Sequence, residues 1–220
     1  MAINPTSFLK HQMHKLLLSI VPLLIAAFGH ADGSLQVELE KADEAYYRVL
    51  EEARADYRQS LSKAIESADM VEIFLLDFET ASAEEAGSDS AWDIRLPKGQ
   101  FPIIPYGATA KVLDRKKLTP EEWATVAPSL KVTVAGTGSD KESSAMCHFP
   151  VHGIRLWSND EIAFQTSICY VCRNFYIKYP MSDAEWMVLT DPNFRKAMER
   201  LMPIPKELVD RFGAKRKRNE

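Results

Sequence analysis

The sequence predicts an α+β fold, with a long N-terminal helix followed by a small antiparallel sheet domain that carries peripheral short helices. A long amphipathic pattern without glycine or proline predicts the helix. A compact apolar run and two strand-like runs around a turn-forming tetrapeptide predict the sheet. The predicted ranges are a signal peptide at 1–31, the helix at 32–69, the α+β domain at 70–212 and a basic tail at 213–220.

The first 31 residues have the pattern of an export signal. Lys10 and Lys15 precede the apolar stretch 16–28, and Gly29 and Ala31 supply the small residues of a cleavage site. The stretch is shorter than the roughly 20 residues that cross a bilayer core. We therefore expect an exported protein, periplasmic or extracellular, with no transmembrane segment in the mature chain.

The charge balance disfavours nucleic acid as a partner. The chain carries a formal net charge of −4, and loss of the two lysines in the leader would lower it to −6. Its one basic block, Lys215 to Arg218, lies at the C-terminus beyond Gly213. We interpret this block as a solvated tail, with contact to an anionic surface as the alternative.

Residues Ser34 to Ala68 are predicted to form one helix. At 1.5 Å per residue it would be about 50 Å long, which is more than a small domain needs. Its stripe is thin and rich in alanine and tyrosine, so it fits a helical hairpin, a coiled-coil dimer, a stalk or one helix draped across the domain. Dimerisation or an unknown protein partner is expected here. The stripe consists of Leu35, Leu39, Ala42, Tyr46, Val49, Ala53, Tyr57, Leu61, Ala64 and Ala68.

Local sequence patterns predict two extended segments and a helix between residues 70 and 128. Met70 to Phe78 is predicted to be a buried strand. Phe101 to Gly107 is apolar but punctuated by prolines, which predicts an extended segment that is not a central strand. Thr119 and Glu122 form the pattern of a capping box, and the helix that they begin is expected to end by Pro128.

The C-terminal third is predicted to be a β-hairpin followed by short helices. The strands 153–157 and 162–168 flank a turn centred on Asn159 and Asp160, a register that pairs His152 with Ser167. After Pro180 three short helices are expected. Ser182 would cap the first, Asp191-Pro192 would open the second, and Pro203 and Pro205 would separate the third.

All three cysteines, and every histidine outside the leader, fall within residues 147–172. The predicted hairpin register places Cys147 opposite Cys172, so that the thiols are neighbours in space. We call this set the cysteine–histidine unit. Its members are Cys147, His148, His152, Cys169 and Cys172.

One interpretation of the unit is a zinc site. The three cysteines and one histidine would bind the ion tetrahedrally, with the Cys169-x₂-Cys172 pair holding it from a tight turn. His152 is the favoured histidine, because His148 follows Cys147 directly and would point to the opposite face of an extended strand. A closed site would pin the hairpin in a non-catalytic binding or scaffold protein, whereas an open ligand position would indicate a metal-dependent enzyme.

Two further interpretations stay open. Exported proteins meet oxidising conditions, so two cysteines could form a structural disulfide and leave one thiol spare. Alternatively, Arg173 could lower the thiol pKa of the adjacent Cys172 for redox catalysis. The Cys169-x₂-Cys172 pair does not open a helix after a strand, however, as it does in thioredoxin-like enzymes.

The segments Cys147 to Ile154 and Ser167 to Cys172 together resemble a pattern found in small, often exported bacterial proteins of uncharacterised function. The stretch from Phe101 to Trp123 also has counterparts in them. The resemblance covers about half of the mature chain and leaves out the long helix. It implies that the cysteine–histidine unit is the hallmark of the family, and it implies no particular activity.

Overall fold

The computed structural model describes residues 33–82, 99–136, 148–180 and 184–219. Its fold is α+β, with a long N-terminal helix followed by antiparallel sheets, as predicted. The predicted signal peptide lies outside the described residues. The chain divides into two compact units, residues 1–51 and 52–220.

Four α-helices occur in the described part of the chain, and none of them is long and apolar enough to cross a membrane. The predicted long helix is confirmed within a few residues of its expected ends. The basic block at 215–218 lies inside the last helix, so the backbone of the predicted tail is helical up to Asn219. The helices are α1 (Gly33–Glu66), α2 (Pro120–Ala135), α3 (Pro192–Leu201) and α4 (Lys206–Asn219).

Five of the described strands form one antiparallel sheet in the order β2-β3-β1-β4-β5, and β6 pairs with β7 in a second sheet. The predicted extended segment 101–107 is confirmed only in its first part, which belongs to an edge strand that ends at Ile103. Ile104–Tyr106 is a short 3₁₀ helix, so the prediction is wrong there. The strands are β1 (Met70–Ser82), β2 (Gln100–Ile103), β3 (Ala108–Lys117), β4 (His152–Ser158), β5 (Glu161–Ile168), β6 (Asn174–Lys178) and β7 (Ala184–Val188).

The C-terminal part of α1 is anchored in the second unit. Leu61 and Ile65 belong to the larger hydrophobic core, together with residues of both sheets and of α2, α3 and α4. Arg58 donates a hydrogen bond of 2.9 Å to the Tyr179 hydroxyl, which in turn donates one of 3.1 Å to Glu185. These contacts explain why a helix with a thin apolar stripe is well packed along its last turns.

The predicted end of the helix that begins after Thr119 is wrong. Helix α2 continues through Pro128 to Ala135, because Leu130 and Val134 beyond the proline are buried in the larger core. An internal proline costs about 3 kcal/mol in a helix, and burial of these two side chains contributes about 1.5–3 kcal/mol each. The capping box at its start is confirmed, since the Thr119 hydroxyl accepts from the Glu122 N–H at 3.3 Å.

The first helix predicted after Pro180 is a strand instead. Ser182 lies outside the described residues, and β7 pairs with β6 and buries Met187 in the larger core. A partner strand thus decides the structure of a segment whose local signals favoured a helix. The start of α3 is as predicted, because Asp191 accepts a hydrogen bond of 2.8 Å from the Asn193 N–H.

The hairpin between β4 and β5 has the predicted turn. Asn159 and Asp160 have φ values of 52° and 62°, the conformation of a type I′ turn. A bulge then shifts the register after Leu156, where β5 carries one extra residue. Beyond the bulge His152 pairs with Ile168, so the predicted pairing of His152 with Ser167 is wrong.

The Gly153→Ala variant should be destabilised, because a Cβ at this position would lie 2.8 Å from two ring carbons of Phe101. Overpacking of this kind lowers the free energy of unfolding by about 1–3 kcal/mol, and urea denaturation would measure the loss. Gly213→Ala is the control, since a Cβ there meets nothing within 4 Å. Equal stability of Gly153→Ala and the wild type would show that Phe101 is not packed against this strand.

Candidate functional site

The cysteine–histidine unit is built around the tight turn that joins β5 to β6. Cys169 and Asn174 pair across this turn through two backbone hydrogen bonds of 2.9 and 3.0 Å. Arg173 adopts a left-handed conformation with a φ of 52°, and the Cys172 N–H donates a hydrogen bond of 3.3 Å to the Cys169 sulfur. The turn therefore holds both cysteines of the Cys-x₂-Cys pair close to each other.

The two described cysteines differ in chemical state. Cys169 is a free thiol and is completely buried, with 0% of its surface exposed. Cys172 is partly exposed and disulfide-bonded. Cys147, the third cysteine of the chain, lies outside the described residues. One thiol and one disulfide sulfur thus occupy the same turn.

His148 lies in a buried hydrogen-bond chain with two residues that were not predicted to be its partners. Its Nδ1 is 2.8 Å from the Asn174 side-chain oxygen, and its Nε2 is 2.7 Å from the Ser167 hydroxyl. The amide oxygen is an acceptor only, so Nδ1 carries the proton and the Ser167 hydroxyl donates to Nε2. Neither partner is close to His148 in the sequence, and local patterns gave no signal for this contact.

Burial keeps the His148 ring neutral. The Trp186 ring packs against it with centroids 4.6 Å apart, and the Tyr106 ring lies 6.4 Å away. Desolvation lowers the His148 pKa from 6.5 to about 4, although the hydrogen bond to Asn174 opposes this shift. At neutral pH the imidazole is therefore an uncharged structural group.

The order serine–histidine–asparagine matches that of a nucleophile, a base and an orienting group. Ser167 and Asn174 are both completely buried, however, so that an external substrate has no access to the hydroxyl in this arrangement. A general base also works best with a pKa near the working pH, and that of His148 is far lower. The chain of hydrogen bonds is therefore best described as structural.

His152 is equally buried and has a different set of partners. Its Nδ1 is 2.8 Å from the Tyr170 hydroxyl, and its Nε2 is 2.9 Å from the backbone oxygen of Met202. The carbonyl is an acceptor, so Nε2 carries the proton and the Tyr170 hydroxyl donates to Nδ1. This histidine thereby connects β4 to the turn after β5 and to the end of α3.

Desolvation also lowers the His152 pKa from 6.5 to about 4. The hydrogen bond to Met202 and the charge of Glu199 oppose the shift, and the charge of Arg195 adds to it. Burial raises the pKa of Tyr170, which keeps its hydroxyl protonated as a donor. The pair is thus uncharged in the folded protein.

The two histidines lie on opposite faces of the sheet. Ser167, the partner of His148, pairs with Gly153, whose missing side chain would point at Phe101 of the smaller hydrophobic cluster. Tyr170, the partner of His152, belongs to the larger core. The structure therefore places His148 and His152 in separate environments.

The predicted zinc ligands are only partly among the described residues. Within those residues no three histidine, cysteine or carboxylate side chains come together as a metal-binding group. Cys147, the remaining one of the five candidate ligands, lies outside them, so the predicted site of three cysteines and one histidine stays a prediction. For either histidine to bind an ion, one of its present hydrogen bonds would have to break.

Two cavities in the second unit have volumes of about 220 and 230 Å³. Ligand pockets usually measure about 300–1,000 Å³. One cavity lies beside the cysteine turn, where Tyr170 and Arg173 face Asp191 and Arg195. Its small size and mixed charge do not indicate a particular ligand.

Comparisons with known proteins gave no match to a family model, to a curated protein or to a solved structure. The resemblance to exported bacterial proteins therefore stays a prediction.

The free energy of unfolding should fall as the pH is lowered from 6.5 to 4, because the unfolded chain binds a proton that folded His152 excludes. A shift of the His152 pKa from 6.5 to about 4 corresponds to a loss of about 3 kcal/mol in the free energy of unfolding. His152→Gln keeps a donor for Met202 and an acceptor for Tyr170 but does not titrate, so urea denaturation should show a weaker pH dependence in this variant. An identical pH dependence in both proteins would contradict a neutral, buried His152.

Proposed function

We propose that the chain is an exported, non-catalytic binding or scaffold protein. In this proposal the cysteine–histidine unit pins the end of the hairpin, and the first part of α1 is the binding surface. The observation that carries the non-catalytic role is that both histidines and Cys172 are already engaged within the protein. Both ring nitrogens of His148 and of His152 are hydrogen-bonded within the protein, and Cys172 is cross-linked.

We propose that a disulfide between Cys147 and Cys172 is the cross-link that holds the end of the hairpin. The chain has three cysteines, Cys169 is free and Cys172 is disulfide-bonded, which leaves Cys147 as the partner within the chain. Such a bond would close a loop of roughly 25 residues and contribute about 3 kcal/mol by restricting the unfolded chain. Exported proteins meet the oxidising conditions in which such a bond persists.

A zinc ion is the second candidate for the cross-link at the end of the hairpin. Its ligands would be the three cysteines with His152 or His148. The geometry of the turn favours it: Cys169 and Cys172 share one tight turn, and a backbone N–H already donates to the Cys169 sulfur, which would stabilise a thiolate ligand. When bound, zinc would supply a structural cross-link between the two sides of the hairpin end.

The proposed binding surface is the stripe on the first part of α1. Leu39, Tyr46 and Val49 are 60%, 63% and 61% exposed, respectively. Together with Leu35 and Ala42 they follow one another at alternating steps of four and three residues, the spacing of a coiled coil. A second copy of the chain is the proposed occupant, because this spacing suits a partner helix with the same pattern.

Cys172→Ser should lower the free energy of unfolding by about 3 kcal/mol, and a reductant should have the same effect on the wild type. Cys169→Ser is the matched control, since it removes a free thiol from the same turn. Elemental analysis of protein purified from its exported compartment should find no zinc. One zinc per chain, together with an equal loss of unfolding free energy in Cys172→Ser and Cys169→Ser, would contradict the disulfide and support the zinc site.

Tyr46→Lys should abolish self-association, whereas Tyr47→Lys should leave it intact. The two tyrosines are 63% and 62% exposed, but only Tyr46 lies on the stripe. Sedimentation velocity over a range of concentrations would measure the association. A wild-type chain that stays monomeric at every concentration would contradict the dimer.

A further inference from the structure

We infer that Arg155 on β4 binds a carboxylate ligand whose apolar part lies against the indole ring of Trp157. Among the described residues, the two terminal nitrogens of Arg155, Nη1 and Nη2, have no hydrogen-bond or ion-pair partner. The site lies outside the cysteine–histidine unit. It depends neither on the proposed cross-link at the end of the hairpin nor on the proposed dimer.

Arg155 belongs to a row of polar residues that crosses the five-stranded sheet. Residues that lie directly opposite each other in antiparallel strands share one face of the sheet. From β3 through β1 and β4 to β5, the register gives the row Lys117, Glu72, Arg155 and Gln165. Two cations and one carboxylate are therefore neighbours on one face.

The side chain of Arg155 is held in place from two sides. Its Nε donates a hydrogen bond of 3.1 Å to the side-chain oxygen of Gln165. Its guanidinium carbon lies 5.2, 5.6 and 5.8 Å from the ring centres of Phe74, Phe101 and Trp157, respectively, which is the range of cation–π contact. Because Nε is engaged, Nη1 and Nη2 remain for a ligand. They form one end of a planar fork that fits the two oxygens of a carboxylate.

Glu72, the carboxylate opposite Arg155, is engaged by other residues. Its Oε2 accepts a hydrogen bond of 2.9 Å from Nε1 of Trp157, and its Oε1 lies 3.6 Å from Nη1 of Arg115. Arg115 lies on the same face as Arg155, one row further along the sheet. With Lys117, this part of the face carries three positive charges and one negative charge. The excess of positive charge favours an anionic ligand.

Two features favour a singly charged, partly apolar ligand. Glu72 would repel a doubly charged phosphate more strongly than a carboxylate with one charge. Trp157 is partly exposed, so its indole ring offers an apolar surface beside the guanidinium group. The ligand class that fits both features is a monocarboxylate attached to an apolar body.

Partial burial strengthens the attraction of Arg155 for such a ligand. Desolvation lowers the pKa of the Arg155 guanidinium from its ordinary value, and the charge of Glu72 opposes this shift. An arginine remains protonated at neutral pH in spite of such a shift. A charge pair formed in a partly desolvated place is stronger than the same pair in open water.

The test is an NMR titration of the purified wild-type protein at pH 7, followed at the assigned indole N–H of Trp157. The probes are 3-phenylpropionate, its neutral analogue 3-phenylpropanamide and inorganic phosphate. We expect 3-phenylpropionate to cause a saturable shift. The amide should bind at least about tenfold more weakly, because it lacks the charge that the guanidinium group recognises. This comparison uses the wild type alone and does not depend on the folding of a variant.

Arg155→Lys should weaken the binding of 3-phenylpropionate about tenfold, since lysine keeps the charge but lacks the planar fork. Lys111→Gln is the control variant. Lys111 lies on β3 between Ala110 and Val112 of the smaller hydrophobic cluster, so it points to the opposite face of the sheet. Its replacement removes a positive charge from the protein and should leave the affinity unchanged.

Three outcomes would overturn the carboxylate site. The first is the absence of a saturable shift with 3-phenylpropionate, or equal binding of the acid and the amide. The second is an equal affinity of Arg155→Lys and Lys111→Gln for the acid, which would indicate attraction by diffuse charge alone. The third is tighter binding of inorganic phosphate than of 3-phenylpropionate. Each of these outcomes would leave the proposed cross-link and the proposed dimer standing.

Discussion

The hydrogen bonds of two buried imidazoles are the constraint on which the cysteine–histidine unit depends. A buried polar group without a partner costs about 1–3 kcal/mol, and each histidine avoids this cost at both ring nitrogens. His148 satisfies its nitrogens with residues from β5 and β6, and His152 satisfies its own with Tyr170 and Met202. The two rings thus join both sheets and the end of α3. The tight turn that carries the cysteines is held between them.

Much of the fold could be predicted from the sequence where local physics decides the outcome. The uninterrupted helical pattern of α1, the capping box at Thr119 and the type I′ turn at Asn159 each rest on residues that are close in the chain. The errors arose where distant contacts dominate. Burial of Leu130 carries α2 past Pro128, and pairing with β6 makes a strand of Ala184–Val188, although neither contact leaves a local signal.

The candidate site was predictable in its residue types and less so in its geometry. The spacing of cysteines and histidines drew attention to the segment in which the two buried histidines and the two described cysteines lie. A single extra residue in β5 shifts the register, so that His152 pairs with Ile168. Ser167 and Asn174 act as partners of His148 from 19 and 26 positions away, and only the paired strands bring them together.

The protonation of the two histidines tests this account most directly. Long-range ¹H–¹⁵N NMR of the side chains at pH 7 distinguishes the two neutral tautomers, the charged ring and a metal-bound nitrogen. The account predicts opposite neutral tautomers, with the proton on Nδ1 of His148 and on Nε2 of His152, and spectra that a chelator leaves unchanged. A charged ring, or a nitrogen resonance that shifts when a chelator is added, would contradict it.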